Sequence, residues 1–184
     1  MATILCWHKG GFMERRVQRI AWLAFAILLA FCTTAFTGTE KAPEKVQAAL
    51  FMKLLAFHKG IASGGDVVVY VAAASDFAAE LRKGIGKKIG SAELVSVIEG
   101  NETPTEKPSV IYIGSEELVD SLTSYTRTHD LLSITGIPGL VERGISLGVG
   151  TQDGKPTVRI NTTASKEESA EWDAAIFKIA TTVK

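Results

Sequence analysis

Apolar and polar positions recur along this chain with two periods, and the period of two dominates its last third. In the arm Ile145 to Val149, Ile145, Leu147 and Val149 alternate with Ser146 and Gly148. In the arm Thr157 to Asn161, Val158 and Ile160 alternate with Thr157 and Arg159. This pattern predicts a hairpin with one buried face, and Asp153-Gly154 between the arms supplies its turn. Ahead of it, Leu131 to Ile134 reads as a short apolar strand, then a loop at Thr135-Gly136 and a helical turn over Pro138 to Glu142.

The helical period appears upstream. A polar linker with Pro43 leads into a helix over Glu44 to His58, where Val46, Ala49, Leu50, Leu54 and Phe57 form a core stripe. Phe51 and Leu55 fall one turn apart on its other side, with Met52 beside them. Such a helix is either sandwiched in the domain or offers its second face to a partner, which makes Phe51 and Leu55 the candidate partner surface. The β-branched run Val67 to Val71 suits a strand covered on both faces. A helix follows over Phe77 to Lys83, capped by Ser75 or Asp76 and ended by Gly84. Strands are expected at Leu94 to Ile98 and Val110 to Ile113, separated by a polar loop from Glu99 to Pro108. Ser115 is placed to cap a helix bearing Glu116 and Glu117 in its first turn and Leu118 and Leu122 on its apolar face. Thr123 to Asp130 then returns to the sheet. Ser165 and Glu168 have the spacing of a capping box for a last helix, with Trp172, Ile176, Ile179 and Val183 on one face.

At 184 residues the chain has room for one domain with a real core. The sequence predicts an α/β fold: a single-domain mixed sheet of about six strands flanked by helices, a flavodoxin-like sandwich. Whole-chain charge is balanced, 20 basic against 20 acidic residues. Without residues 1–35, which hold Lys9, Arg15, Arg16, Arg19 and Glu14, 16 basic and 19 acidic residues remain, a net of −3. A mildly acidic domain lacks the footprint for nucleic acid.

Arg15, Arg16 and Arg19 precede the apolar run Ile20 to Cys32 and then small residues, the layout of a secretory signal. The expected division is a leader over 1–35, a linker over 36–44 and an α/β domain over 45–184. The cut is placed near Ala35 and the protein in the periplasm, with Met13 where such a signal would ordinarily start. An uncleaved anchor is the competing reading, since the charge-free span Ile20 to Thr39 just reaches the ~20 residues that a bilayer demands. Both cysteines, Cys6 and Cys32, fall in the leader, so no disulfide is expected in the domain.

Leu131-Leu132-Ser133-Ile134, Gly139, Gly144-Ile145-Ser146-Leu147 and the run Lys155 to Asn161 together resemble the YfiR-like family. These are small periplasmic proteins that restrain inner-membrane diguanylate cyclases, and the likeness covers roughly Lys45 to Val183. The resemblance implies a non-enzymatic regulator in cyclic-di-GMP signalling and biofilm control. Its partner would be the periplasmic part of an inner-membrane sensor or cyclase, with membrane contact only through that partner or an uncleaved leader. Some members carry cysteine pairs linked to redox control, and this domain departs from them. Pairing with a second copy stays open.

No catalytic constellation is legible. Gly84-Ile85-Gly86-Lys87-Lys88 has Leu81 and Lys88 where a phosphate loop requires Gly and Ser or Thr. Gly114-Ser115-Glu116 lacks the paired glycines of a nucleophile elbow. His8, His58 and His129 have no further ligands at metal spacing; His58 reads as an exposed helix cap and His129 as a loop residue. Neither a metal nor a cofactor is expected. Asn101 and Asn161 fit the glycosylation pattern, relevant only to a eukaryotic secretory setting. One place has a physical claim to a ligand: the carboxyl ends of parallel strands, here Ser75, Ser115, Thr135 and Gly136. Helix N-termini there would offer N–H groups to an anion or polar small molecule, unless the serines only cap their helices. A periplasmic small-molecule-binding protein acting without a cyclase partner is therefore the alternative function.

Overall fold

The computed structural model describes residues 39–184. The expected leader, its Met13 start and cut near Ala35, Cys6, Cys32 and His8 lie outside the described residues. In chain order the elements are α1 (Glu44–Leu54), α2 (Lys59–Ala62), β1 (Gly65–Ala72), α3 (Ser75–Arg82), β2 (Lys88–Ile89), β3 (Ala92–Gly100) and β4 (Val110–Ile113). There follow α4 (Val119–His129), β5 (Leu132–Thr135), β6 (Leu147–Gln152), β7 (Lys155–Asn161), α5 (Thr162–Glu167) and β8 (Thr181–Val183).

One sheet carries all eight strands in the order β2-β3-β1-β4-β5-β6-β7-β8. Strands β3, β1, β4, β5 and β6 run parallel, which is the strand order of a flavodoxin-like doubly wound sheet. Short β2 is antiparallel to β3, β7 is antiparallel to β6, and β8 runs parallel to β7. The two strands beyond the expected six are these short edges.

Both faces of the parallel strands are buried. Val67, Val69 and Val71 of β1, Val110 and Tyr112 of β4, and Leu132 and Ile134 of β5 join Phe51, Leu54 and Leu55 of α1 and its extension and Phe77, Ala78 and Leu81 of α3. The alternate residues Tyr70, Ala72, Ile111 and Ile113 meet Val119 and Leu122 of α4. The hairpin departs from the one-face expectation, because Leu147 through Gly150 are all buried. Gly148 and Gly150 let the turn over Pro138–Leu140 lie directly on the sheet. A side chain at 148 would strike Val141, and one at 150 would strike Pro138. Asp153 and Gly154 both have positive φ, as a two-residue hairpin turn between Gln152 and Lys155 requires.

Of the expected last helix only a short 3-10 turn over Ala174–Lys178 forms. Asn161, not Ser165, caps α5, its Oδ1 accepting from the N–H groups of Thr163 at 3.0 Å and Ala164 at 2.9 Å. Beyond it the chain is drawn out against the end of α1: His58 bridges to Trp172, Lys59 N–H donates to Glu171 O and Asp173 N–H to Phe57 O. A helix over Trp172 would lose those pairings. The β-branched Thr181-Thr182-Val183 then adds to the sheet as β8. Thr123 to Asp130, expected to return the chain to the sheet, does so as a continuation of α4 to His129, after which Asp130 turns left-handed at φ 53°. The stretch ahead of α1, expected as linker, is pinned where Glu40 pairs with Thr151.

Glu168, freed from a capping role, is 2% exposed and points inward. Its carboxylate accepts from Thr126 Oγ1 of α4 at 2.6 Å, from Ser133 N–H of β5 at 2.9 Å and from Ser146 Oγ at 2.5 Å. Burial holds this carboxyl above the ordinary carboxylate range, against hydrogen bonds from Ser133, Ser146 and Thr126 that pull it down. The folded state therefore favours the proton. Its contribution is complete below the ordinary carboxylate value and is lost as pH rises through the raised one. Glu168→Gln should flatten that part of the stability–pH profile. Glu168→Ala should cost more, about 1–3 kcal/mol for each buried donor left unpaired. Urea unfolding of both variants across pH measures this; a Gln variant that keeps the wild-type slope would contradict it.

Candidate functional site

The strand ends that the sequence brought together do not form one crevice. Between β1 and β4, Gly114 is pressed onto the Ala73-Ala74 backbone; a Cβ on it would stand 2.6 Å from Ala74 Cβ and 2.8 Å from Ala72 O. Ala73 takes a left-handed φ of 53° in that turn. The opening at the reversal of strand order, where doubly wound sheets commonly hold ligands, is thus closed by main chain.

At the ends of β4 and β5 the space is filled by α1. Tyr112 OH donates to Gln47 Oε1 at 2.8 Å, and Gln47 Nε2 donates to Ala42 O at 2.5 Å. Burial pushes the Tyr112 phenol upward. Tyr112 also stacks on Phe77 at 3.8 Å and meets Phe51 edge-on at 5.9 Å. Gly136 lies against this pair, and any side chain there would collide with Gln47 Oε1 and Tyr112 OH. Thr135 Oγ1 donates to Ile113 O at 2.8 Å and accepts from Ile137 N–H at 3.1 Å. Ser115 caps a 3-10 turn over Glu116–Leu118 by accepting from Glu117 N–H. Thr135, Gly136 and Ser115 are therefore framework, and their place in a ligand crevice is corrected.

Ser75 alone borders open space. A cleft of about 460 Å³ lies beyond β1 and β3, lined by Lys41, Glu44, Ser75, Asp76, Glu99 and Asn101 among others. Ala74 occupies the N-cap of α3 without a side-chain hydrogen bond, so neither Ser75 nor Asp76 caps the helix. The cleft's charges are largely spoken for. Lys41 pairs with Glu44 at 2.9 Å and holds that carboxyl below its usual range, and Arg82 pairs with Glu99. It suits a small polar molecule better than a simple anion.

Phe51 and Leu55 are not a partner surface. They are 0% and 1% exposed and pack in the core. The buried stripe of α1 is Gln47, Ala48, Phe51 and Leu54, while Ala49 is exposed and Val46 and Leu50 are half-buried. Gln47 is polar, and a polar residue marks a solvated face unless something buried satisfies it; here Tyr112 and Ala42 do. His58 is half-buried rather than exposed. It caps α2 by accepting from Ile61 N–H at 3.2 Å, and packs on Trp172 at 5.3 Å. Burial lowers its pKa. His129 ends α4 and stacks on Tyr125 at 4.1 Å. Among the described residues no group of three His, Cys, Asp or Glu is placed to hold a metal ion. No described helix is long and apolar enough to cross a membrane.

A framework organised around buried Ser133, Ser146 and Glu168, with α1 closing one face, meets a family profile described as YfiR/HmsC-like over residues 44–181. The chain belongs to the YfiR/HmsC-like family. A crystal structure of a conserved domain protein from Vibrio cholerae O1 biovar El Tor shares the fold, with TM-score 0.51 and 16% identity. The match covers 79% of this chain and 61% of that one, so this chain spans under two thirds of its length. No curated protein matches the sequence.

The residues that carried the resemblance are sheet framework. Leu132, Ile134 and Leu147 face α1, and Ser133 and Ser146 hold Glu168. They explain membership and name no contact. The helix-filled strand end yields a measurable expectation. Gly136→Ala should lower stability by about 1–3 kcal/mol through overpacking, and a simultaneous Gln47→Ala should recover part of that loss. Thermal melts of the two variants test it; an unchanged melting temperature for Gly136→Ala would show the strand end to be open.

Proposed function

We propose that this protein is an exported, non-enzymatic regulator that binds the periplasmic part of an inner-membrane diguanylate cyclase or similar sensor and restrains it. The YfiR/HmsC-like match across 44–181 carries this reading. The mechanism is a population shift: the regulator binds the inactive conformation of its partner more tightly and so favours it, by no more than that difference in affinity. The signal-like segment Arg15 to Ala35 supports export to the periplasm, where such a partner exposes its sensor.

The cleft beyond β1 and β3 supports the second reading, a periplasmic protein that binds a polar small molecule without a cyclase partner. The same cleft also serves a regulator as the place where an envelope signal enters, if its occupation alters the partner-binding surface.

Crosslinking of the tagged full-length chain in cells, followed by mass spectrometry, separates the two. The regulator reading expects an inner-membrane protein with a cyclase or sensor domain among the adducts, and a rise in cellular cyclic di-GMP when the chain is deleted. Self-crosslinks alone, with cyclic di-GMP unchanged, would remove the cyclase partner and leave the ligand-binding reading.

A further inference from the structure

A second groove runs between α1 and α3, and its chemistry differs from that of the strand-end cleft. Its floor is apolar: Ala48, Ala49, Met52 and Leu81, with buried Gly84 at its end. Its rim is basic: Lys45 and Lys53 on α1, and Lys83, Lys87 and Lys88 beyond α3, against Glu80 alone. Lys83 pairs with Glu80 at 2.7 Å and Lys88 with Glu93 at 2.9 Å. Lys45, Lys53 and Lys87 form no ion pair among the described residues, and all three are exposed. Five lysines around one apolar floor are conspicuous in a domain whose residues beyond the leader carry a net charge of −3.

Resting on the regulator reading, we propose that this groove is where the partner docks, and that the docking element is an acidic amphipathic helix. The geometry selects among anionic occupants. Lys45 and Lys53 are eight residues apart on α1, about 12 Å along its axis, so one rim is a straight row about two turns long. The other rim faces it across the floor. A helix with an apolar stripe flanked by Asp or Glu on both sides meets the floor with the stripe and both rims with the flanks. A flat bilayer fits poorly, because Ala48 and Leu81 of the floor are buried and Met52 is half-buried, which leaves little apolar surface to insert. A second copy of this chain fits poorly as well, because it would bring the same basic rim. The volume, about 460 Å³, takes a row of side chains rather than a whole helix, as helix-in-groove docking requires.

Burial of α1 leaves this surface rigid. Phe51, Leu54 and Leu55 fix the helix from beneath, so the backbone of Lys45, Ala49 and Lys53 is presented without cost in ordering, and only the lysine side chains remain to be ordered. The free lysines add steering, which weakens with ionic strength.

The test places a photo-crosslinking residue at Ala49 in the groove and, separately, at exposed Thr128 on α4, in the full exported chain. The expected result is an Ala49 adduct to a helical segment of an inner-membrane protein that bears carboxylates on both sides of an apolar stripe. Lys45→Glu, Lys53→Glu and Lys87→Glu together should cut its yield by about tenfold while leaving the melting temperature unchanged. Partner adducts from Thr128 and none from Ala49 would overturn the groove and leave the regulator reading standing. Ala49 adducts to phospholipid or to a second copy would overturn it too, as would an acidic-helix adduct whose yield ignores the charge reversal. No membrane-protein adduct from either position would bring down the regulator reading and this inference with it.

Discussion

A parallel sheet must be covered on both faces, and that requirement arranges the rest of this domain. Five parallel strands present Val, Ile, Leu and Tyr side chains in alternation to two sides. The chain has few helices with which to cover them. α1 and α3 take one face, α4 takes the other at β1 and β4, and the tight turn over Pro138–Leu140 sits on the glycines of β6. With so little cover, α1 is committed to the core, and Phe51 and Leu54 of the helix, with Leu55 just beyond its end, fill the space. The side that carries Phe51 and Leu55 is thereby closed to a partner, and of α1 only the outward row Lys45, Ala49 and Lys53 is exposed.

Two polar nodes finish what the apolar cover leaves open. Gln47 and Tyr112 close the ends of β4 and β5, and Glu168 joins α4, β5 and the entry to β6. Each puts a polar group where water is excluded, which is tolerable only because its partners are all in place. These nodes fix register in a region where strand alternation by itself would tolerate slippage. Ser133 and Ser146 look like ordinary strand residues in sequence; they become intelligible only once Glu168 arrives from 22 residues beyond Ser146.

The same nodes mark where sequence reading stopped. Six of the eight strands, the helices α1, α3 and α4, the Asp153-Gly154 turn and the α/β class were legible, because each rests on local periodicity or turn chemistry. The C-terminal segment was not. Its apolar spacing at Trp172, Ile176 and Ile179 fits a helix, yet backbone pairing with Phe57, His58 and Lys59, over a hundred residues away, drew it out. Local propensity carries no information about that pairing. α1 is sandwiched, one of the two readings its doubly apolar pattern allowed, but its most buried stripe is rotated toward Gln47, which is polar by type and buried by partnership. Of the four strand-end residues, Ser75 reached open space, whereas the fate of Ser115, Thr135 and Gly136 depended on what packed above them.

The fold's usual ligand position is closed here by Gly114 against Ala73 and Ala74, which shifts attention from chemistry to surfaces. A doubly wound sheet with that opening sealed retains what a binding module needs: rigid helices held from beneath, with outward faces free to diverge. α3 stands at the centre of this arrangement. Its N-terminus borders the polar cleft, and its C-terminal half borders the lysine-rimmed groove, with only the eight residues Ser75–Arg82 between them. Arg82 fixes the last turn of α3 to β3 through Glu99, and Glu99 also lines the polar cleft. That pair is half-exposed and adds little by itself; Arg82 also donates to Val97 O, and the buried Phe77, Ala78 and Leu81 hold α3 in place, so both of its borders are rigid surfaces.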